Sequence, residues 1–207
     1  MHISAVIPYD STMTSEEAIK RLVEGNARYM SGMPRQGVSA EWRASLSKEQ
    51  HPYAVVIGCS DSRVPVEIIF DAMPGDLFVI RTAGNVVGPL DMASVEFAIS
   101  AFKPPLVVVL GHEHCGAVYT ALKGGNIDEF SPSIKELLQE VLASAAGDPS
   151  DDTKENYEHE NYENKNIRNT MSKLMSNPYI AKDVSEKTVY IAAAKYSLDT
   201  GKVTFFE

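Results

Sequence analysis

Cysteine and positive charge are both scarce in this chain of 207 residues, and long apolar runs are missing. Only two cysteines occur, Cys59 and Cys115, which excludes a disulfide-rich secreted scaffold. Lys and Arg number 19 against 28 Asp and Glu, and the net charge of -9 argues against nucleic acid or an anionic membrane surface as a partner. No apolar stretch approaches the roughly 20 residues of a membrane span.

The first residues also lack the features of a secretory signal. The apolar stretch within residues 1–14 is very short, Asp10 follows it, and no basic segment precedes it. We therefore expect a cytoplasmic protein. The length suits a single α/β domain over residues 1–207, with residues 1–50 as an N-terminal helical arm.

Apolar runs of strand length alternate with helical patterns along the chain. Strands are expected at 53–58, 77–80, 106–110, 188–194 and 202–206. Helices are expected at 15–31, 65–71, 90–102, 115–122, 134–144 and 166–175. This alternation predicts a mostly parallel sheet flanked by helices, with the β-branched run 106–110 as a central strand buried on both faces. In such sheets, ligands bind where the strands end at their carboxyl side.

The composition changes between residues 147 and 165, where Asp, Glu and Asn are frequent and aliphatic residues are few. We interpret 147–165 as an acidic polar insertion, either a solvated loop or a polar extension of a helix, and not as a functional acidic site. No residue of the motifs described next falls in it. The insertion is therefore expected to be dispensable for chemistry.

Residues with metal-binding chemistry cluster after the first and third expected strands. Cys-Ser-Asp-Ser-Arg occupies 59–63, and His-Glu-His-Cys-Gly occupies 112–116. A catalytic zinc takes three protein ligands, thiolate and imidazole among them, and leaves a fourth tetrahedral position for water. Cys59, His112 and Cys115 supply such a set if the two strands are neighbours, which makes Zn²⁺ the expected cofactor.

Two alternatives to this ligand set remain open. His114 could replace His112, but it adjoins Cys115 and would diverge from it on a helical turn, so we favour His112. A non-catalytic zinc-binding module is the other alternative. Structural zinc sites are usually closed by four Cys or His ligands, so three aligned ligands favour an enzyme unless His114 joins them.

Asp61 and Arg63 are the expected catalytic pair beside the metal. An arginine can hold a carboxylate through two hydrogen bonds and keep it ionised. An ionised Asp61 only accepts hydrogen bonds, so it would orient a zinc-bound hydroxide for attack. The alternative is a helix cap and a surface ion pair. The amide of Gly116 is expected to bind substrate oxygen at a helix start, or else this glycine only permits tight packing.

Taken in order, these segments resemble the β-class carbonic anhydrases. The motifs are Cys-Ser-Asp-Ser-Arg-Val-Pro at 59–65, Pro-Gly-Asp-Leu-Phe-Val-Ile-Arg-Thr-Ala-Gly-Asn at 74–85 and Gly-His-Glu-His-Cys-Gly-Ala-Val at 111–118. Weaker similarity continues at 16–26, 166–170 and 197–203. Each motif alone is weak, but their order and spacing together are highly specific.

The resemblance implies reversible hydration of carbon dioxide to bicarbonate, with zinc on Cys59, His112 and Cys115. In some members the aspartate matching Asp61 becomes a fourth ligand, so Asp61 is also a candidate metal ligand. The resemblance further implies a parallel sheet with an antiparallel edge strand, in an intertwined homodimer or a tetramer of dimers. A carbon disulfide or carbonyl sulfide hydrolase on the same scaffold is the nearest alternative, because the motifs do not separate these substrates.

The chain departs from the family pattern at two places. A regulated subset has a Trp three residues before the first Cys, in a non-catalytic bicarbonate pocket. This chain has Val56 there, although Arg81 matches the arginine of that pocket. Plant-like members place a Gln shortly before Pro-Gly, where this chain has Asp-Ala-Met at 71–73. Neither the regulatory pocket nor a Gln-lined substrate pocket is therefore expected.

Overall fold

A computed structural model of the chain describes residues 12–35, 37–122, 127–145 and 159–206, and its five strands form one sheet. The strands are β1 Ala54–Cys59, β2 Leu77–Thr82, β3 Leu106–His112, β4 Tyr190–Tyr196 and β5 Val203–Phe206. Their order is β2-β1-β3-β4-β5, in which β5 runs antiparallel to β4 and all other pairs are parallel. The expected sheet with an antiparallel edge strand is confirmed.

Helices flank the sheet in the part of the chain that the structure describes. They are α1 Ser15–Met30, α2 Ala40–Ser45, α3 Val66–Ile69, α4 Pro89–Phe102, α5 Gly116–Leu122, α6 Pro132–Ala145, α7 His159–Ser176 and α8 Pro178–Ser185. The sequence analysis did not predict α2 and α8, since helices of 6 and 8 residues are too short for a clear apolar period. It also placed the start of α7 too late, because the first turns of this helix are polar.

The continuous apolar character of β1 and β3 reflects burial on both faces of the sheet. Every residue of both strands is buried. Successive side chains point to opposite faces, so Val56 and Val108 contribute to one apolar cluster, while Val55 and Val107 contribute to the other. Burial of each such side chain contributes about 1.5–3 kcal/mol, which makes this central pair the most strongly stabilised part of the sheet.

The sheet register brings three strand ends to one edge. Gly58 of β1 lies opposite Leu110 of β3, and Cys59 lies opposite Thr82 of β2. The first and third strands are therefore neighbours, as the expected ligand set requires.

Helix α1 packs against the apolar core of its own chain. Leu22 is fully buried, and Asn26 donates hydrogen bonds to the carbonyls of Ile69 and Gly201 while it accepts one from the amide of Val203.

The division of the chain into one domain over 1–207 with an arm at 1–50 stays a prediction. Within the described ranges, no helix is long and apolar enough to cross a membrane.

Candidate metal centre

Three buried side chains bring sulfur and nitrogen donors to the carboxyl edge of the sheet. Cys59 ends β1, His112 ends β3, and Cys115 directly precedes α5. Their ligand atoms all lie within 4.8 Å of one another, and the two sulfur atoms are 4.0 Å apart. Two thiolates on a tetrahedral zinc, each bonded at about 2.3 Å, would be separated by about 3.8 Å. The spacing of the donors therefore suits zinc.

The orientation of the His112 ring leaves one nitrogen without a partner. Nδ1 lies 2.8 Å from the carbonyl oxygen of Glu113. Since a carbonyl only accepts, Nδ1 carries the proton and Nε2 keeps its lone pair. Nε2 is buried without a hydrogen-bond partner, and such an atom calls for an explanation. A metal ion at Nε2 supplies one, so these residues fit the group that the sequence implies.

Of the two neighbouring histidines, the structure brings His112 to the cysteines. His114 lies in the left-handed region, with a φ of 53°, and its side chain is exposed and outside the three-donor group. The alternative ligand set with His114 in place of His112 therefore receives no support from the geometry.

The sulfur atoms of the two cysteines are close enough to interact directly. The Cys115 thiol lies within hydrogen-bond distance of the Cys59 sulfur, and this bond lowers the pKa of Cys59 and, together with burial, raises that of Cys115. The backbone amides of Asp61 and Gly84 also donate to the Cys59 sulfur, at 3.4 and 3.3 Å. Metal binding requires deprotonated thiols, so binding of a cation at these sulfur atoms would release protons.

Charge also acts on the imidazole of His112. Burial by itself lowers the pKa of His112, but the negative charge of the nearby Cys59 sulfur and the bond from Nδ1 to the Glu113 carbonyl outweigh burial and raise it. The apolar side chains of Val86 and Val118 pack around the cysteines. In this weakly polarisable surrounding, each charge on the donors acts more strongly than it would in water.

Asp61 and Arg63 form a two-pronged ion pair beside the donors. Nε of Arg63 donates to Oδ1 at 2.9 Å and Nη2 to Oδ2 at 2.7 Å, while the Arg63 amide also donates to Oδ1. These contacts hold the pKa of Asp61 well below its usual range. Oδ2 of Asp61 lies 4.0 Å from Nε2 of His112, so the carboxylate is close to the donors while it is bound to Arg63.

The segment after β1 is held by a residue whose role the sequence analysis missed. Arg81 donates from Nε to the carbonyl of Cys59 at 3.0 Å and from Nη2 to the carbonyl of Asp61 at 2.7 Å. Its motif position was visible in 74–85, but its partners were not. Val56, at the Trp position of the regulated subset, is fully buried in the core, and the absence of the regulatory pocket stays a prediction.

Helix α7 adds a residue from the segment expected as an acidic insertion. Glu163 is buried, and its Oε1 accepts a hydrogen bond from the amide of Cys115 at 3.3 Å. Its Oε2 pairs with Nζ of Lys195 on β4 at 2.7 Å. Residues 159–165 form the first turns of α7, so this part of the segment takes the second form expected for it, a polar extension of a helix. Glu163 is nevertheless buried in it, where Lys195 neutralises its charge. Residues 147–158 of the expected insertion lie outside the described residues.

Gly116 begins α5 and is exposed. Apart from its chain neighbours and the backbone of its own helix, no atom of the described residues lies within 4 Å of the place where a side chain would begin, so close packing does not explain this glycine. The open space beside its backbone is compatible with a bound substrate, and its substrate-binding role stays a prediction.

Comparisons with known proteins agree with this geometry. The sequence profile of a family described as carbonic anhydrase matches residues 54–203. A carbonic anhydrase of Mycolicibacterium smegmatis is 38% identical over 191 residues, which are 90% of each chain. Carbonic anhydrase 2 of Mycobacterium tuberculosis is 37% identical over 189 residues, or 89% of each chain.

Solved structures show the same likeness. The β-carbonic anhydrase CcaA matches with a TM-score of 0.73 and 28% identity, over 91% of this chain and 95% of that one. A β-carbonic anhydrase of Sordaria macrospora, described as tetrameric, matches with a TM-score of 0.68 and 25% identity, over 80% and 86% of the two chains.

Proposed function

The chain belongs to the β-class carbonic anhydrase family, and from this we propose that it hydrates carbon dioxide reversibly to bicarbonate and a proton at a Zn²⁺ ion. The ligands in this proposal are Cys59, His112 and Cys115. The observation that carries it is the meeting of their three buried donor atoms within 4.8 Å, with the partnerless Nε2 of His112 among them. Carbonic anhydrases are lyases, so the chain is an enzyme of that class.

The residues around the donors have distinct tasks in this proposal. When bound, zinc lowers the pKa of a coordinated water to about 7, so that a nucleophile is available near neutral pH. Cys59 and Cys115 hold the cation with two negative charges. The bond from His112 Nδ1 to the Glu113 carbonyl keeps the ring turned so that Nε2 faces the centre.

Asp61 is proposed to orient the attacking water. Because Arg63 keeps its carboxylate ionised, Asp61 can only accept a hydrogen bond, which points an oxygen lone pair at the carbon of carbon dioxide. One carbon–oxygen bond forms and one π pair moves onto oxygen, so that water and carbon dioxide give bicarbonate and a proton. The Gly116 amide is proposed to donate to a bicarbonate oxygen. If its pair with Arg63 opens, Asp61 is also a candidate fourth ligand.

Zinc analysis and stopped-flow hydration on the same preparations test this proposal. We expect one zinc per chain and rapid hydration in the natural protein, and strongly reduced zinc in Cys115→Ser. His114→Asn is a matched control, because position 114 lies outside the donor group. Asn also tolerates the left-handed backbone conformation at this position. Full metal content and full activity in Cys115→Ser would contradict the ligand assignment.

The same preparations separate the alternative functions. Release of hydrogen sulfide from carbonyl sulfide or carbon disulfide, faster than hydration of carbon dioxide, would identify a hydrolase on this scaffold. A folded, zinc-loaded protein with neither activity would identify a non-catalytic zinc-binding module.

A homodimer or a dimer-based tetramer is proposed for the assembly. Support comes from the tetrameric description of the Sordaria macrospora enzymes and from large apolar side chains that this chain exposes, among them Leu90 at 83% and Phe97 at 58%. Sedimentation of dilute protein tests it, and a stable, active monomer would contradict it. A cytoplasmic location likewise stays a proposal from the sequence.

A further inference from the structure

Glu163 and Lys195 form a buried ion pair behind Cys115, and we propose that Glu163 is a positioning residue that fixes the peptide carrying this cysteine for metal binding. The inference rests on the proposed function, since it concerns the aim of a metal ligand. Glu163 does not point its carboxylate at the metal in this role. It acts on the backbone of Cys115 through one oxygen and is held in place by Lys195 through the other.

Burial indicates that the pair has a specific task. Only 5% of the Glu163 side chain and 11% of the Lys195 side chain are exposed. Removal of two charges from water is costly, and their mutual attraction compensates for it only where the geometry is good and the other polar atoms find partners. The second oxygen of Glu163 finds its partner in the Cys115 amide, 48 positions earlier in the chain.

The Cys115 amide requires an acceptor from outside its own helix. Cys115 directly precedes α5, and amides at a helix start have no partner within the helix. Glu163 supplies the acceptor at this buried position. Since only one rotatable bond, Cα–Cβ, separates the sulfur of Cys115 from its backbone, a fixed peptide restricts where Sγ can lie.

A corresponding contact holds the other cysteine. Arg81 donates to the carbonyl of Cys59, so a cation fixes one cysteine peptide while an anion fixes the other. Helix α7 also contacts the Cys59 side of the site one turn after Glu163. Nδ2 of Asn166 donates to the carbonyl of Gly84 at 2.7 Å, and the Gly84 amide donates to the Cys59 sulfur.

The close seating of α7 depends on a glycine in β3. A side chain at Gly111 would overlap Ile167 of α7, so only the absence of a β-carbon permits this packing. Lys195 lies opposite Gly111 in the register of β3 and β4. The strand that ends in His112 thus also determines where Glu163 and Lys195 meet.

Two double variants isolate the positioning contact from the buried charge. Glu163→Gln with Lys195→Met removes both charges but keeps a side-chain oxygen that can accept from the Cys115 amide. Glu163→Leu with Lys195→Met removes both charges and the acceptor. Zinc affinity is measured by competition with a chelator, and the geometry of the thiolates by the absorption bands of the Co²⁺-substituted protein. Circular dichroism checks the fold of each variant.

We expect the zinc affinity of the Gln variant to lie within about threefold of that of the natural protein. Its cobalt spectrum should be the same as that of the natural protein. The Leu variant should bind zinc about 10–100-fold more weakly, with shifted thiolate-to-cobalt bands, as is usual for loss of a group that orients a ligand. Glu163→Ala with Lys195→Met is the second variant without an acceptor and adds no bulk, so it replaces the Leu variant if that variant does not fold.

Lys173 and Glu140 provide the matched control. They join α7 to α6 by an ion pair of 2.6 Å, but both side chains are about one-third exposed, unlike those of Glu163 and Lys195. Lys173→Met should leave the zinc affinity and the cobalt bands unchanged.

Equal zinc affinities and spectra in the Gln variant and the acceptor-free variants would overturn the inference and leave the proposed function intact. A natural protein that binds zinc and cobalt without thiolate bands would overturn both.

Discussion

Two clusters of aspartate and arginine side chains lie at opposite ends of β2 and differ in how they are built. Beside the metal centre, Asp61 pairs with Arg63 two positions away, and 54% of the Arg63 side chain is exposed. Before β2, Asp71 and Asp76 pair with arginines from a distant part of the chain, namely Arg21, Arg28 and Arg35. Their carboxylates are only 8% and 10% exposed.

The contacts assign different tasks to the two clusters. Asp76 binds Arg21 through Oδ1 at 2.6 Å and Arg35 through Oδ2 at 3.2 Å, and its Oδ2 also accepts from the Met73 amide. These contacts tie α1 and the following segment to the start of β2. Asp61 instead stands next to the donor cluster. Similar residue types therefore serve chemistry in one place and stability in the other.

The sharpest test of this comparison is Asp61→Asn. The amide can donate and no longer fixes the attacking water, so we expect hydration to fall about 10²-fold or more, with zinc content near normal. Arg63→Ala should act in the same direction because it frees the carboxylate. The free energy of unfolding should change by only about 0–1 kcal/mol, as for other partly exposed pairs. Two variants with full metal and full rate would remove the pair from the mechanism.

Asp76→Asn should show the opposite behaviour. It leaves Arg21 without its carboxylate and Arg35 with Asp71 alone. We expect the free energy of unfolding to fall by about 2 kcal/mol, less than for a fully buried pair because the arginines are partly solvated. Hydration per folded molecule should not change. Urea unfolding at fixed protein concentration measures the first effect.

The exposed pair of Lys20 and Glu24 on α1 is the control for Asp76→Asn. Glu24→Gln should change the free energy of unfolding by less than about 0.5 kcal/mol. If Asp76→Asn reduces hydration as strongly as Asp61→Asn does, the division of tasks between the two clusters is wrong.

Arg81→Ala should give an intermediate effect at the metal centre. Without the two hydrogen bonds to the carbonyls of Cys59 and Asp61, the segment after β1 loses its support, and we expect about tenfold weaker zinc binding. Arg81→Lys should recover little of it, because an ammonium lacks the planar fork that reaches both oxygens. Chelator competition measures the change in zinc affinity. An unaltered affinity would show that the segment after β1 keeps its conformation without Arg81.

The smallest expected effect is on how stability depends on pH, and it concerns Tyr53 beside the cluster of Asp71 and Asp76. Tyr53 is buried with the guanidinium of Arg21 4.1 Å from its ring centre, and desolvation raises the pKa of Tyr53 above its ordinary value. In the unfolded chain this phenol ionises near pH 10 while the folded one stays neutral, so stability present below that pH is lost as pH rises above it. Between pH 9 and 11, we expect the free energy of unfolding to fall by about 1 kcal/mol less in Tyr53→Phe than in the natural protein. Identical alkaline profiles would contradict this.

Local patterns predicted the elements that are long and periodic. The strands β1 and β3 were visible because burial on both faces gives continuous apolar runs, and α4 and α6 because their helical patterns extend over 14 residues each. The start of α7 was not visible, because its first turns are polar and resemble a solvated segment. The ion pair that makes Glu163 compatible with burial involves a residue 32 positions away.

By itself, the sequence determined the chemistry of the donor set and its clamp. Cys59 with Asp61 and Arg63, and His112 with Cys115, each lie within a few residues of one another, so local spacing and residue type suffice to recognise them. Only the tertiary structure decided which backbone groups of these segments are held, and by what. Arg81 and Glu163 reach the cysteine peptides from another strand and from α7, and such contacts depend on strand register and helix packing, which no local pattern encodes.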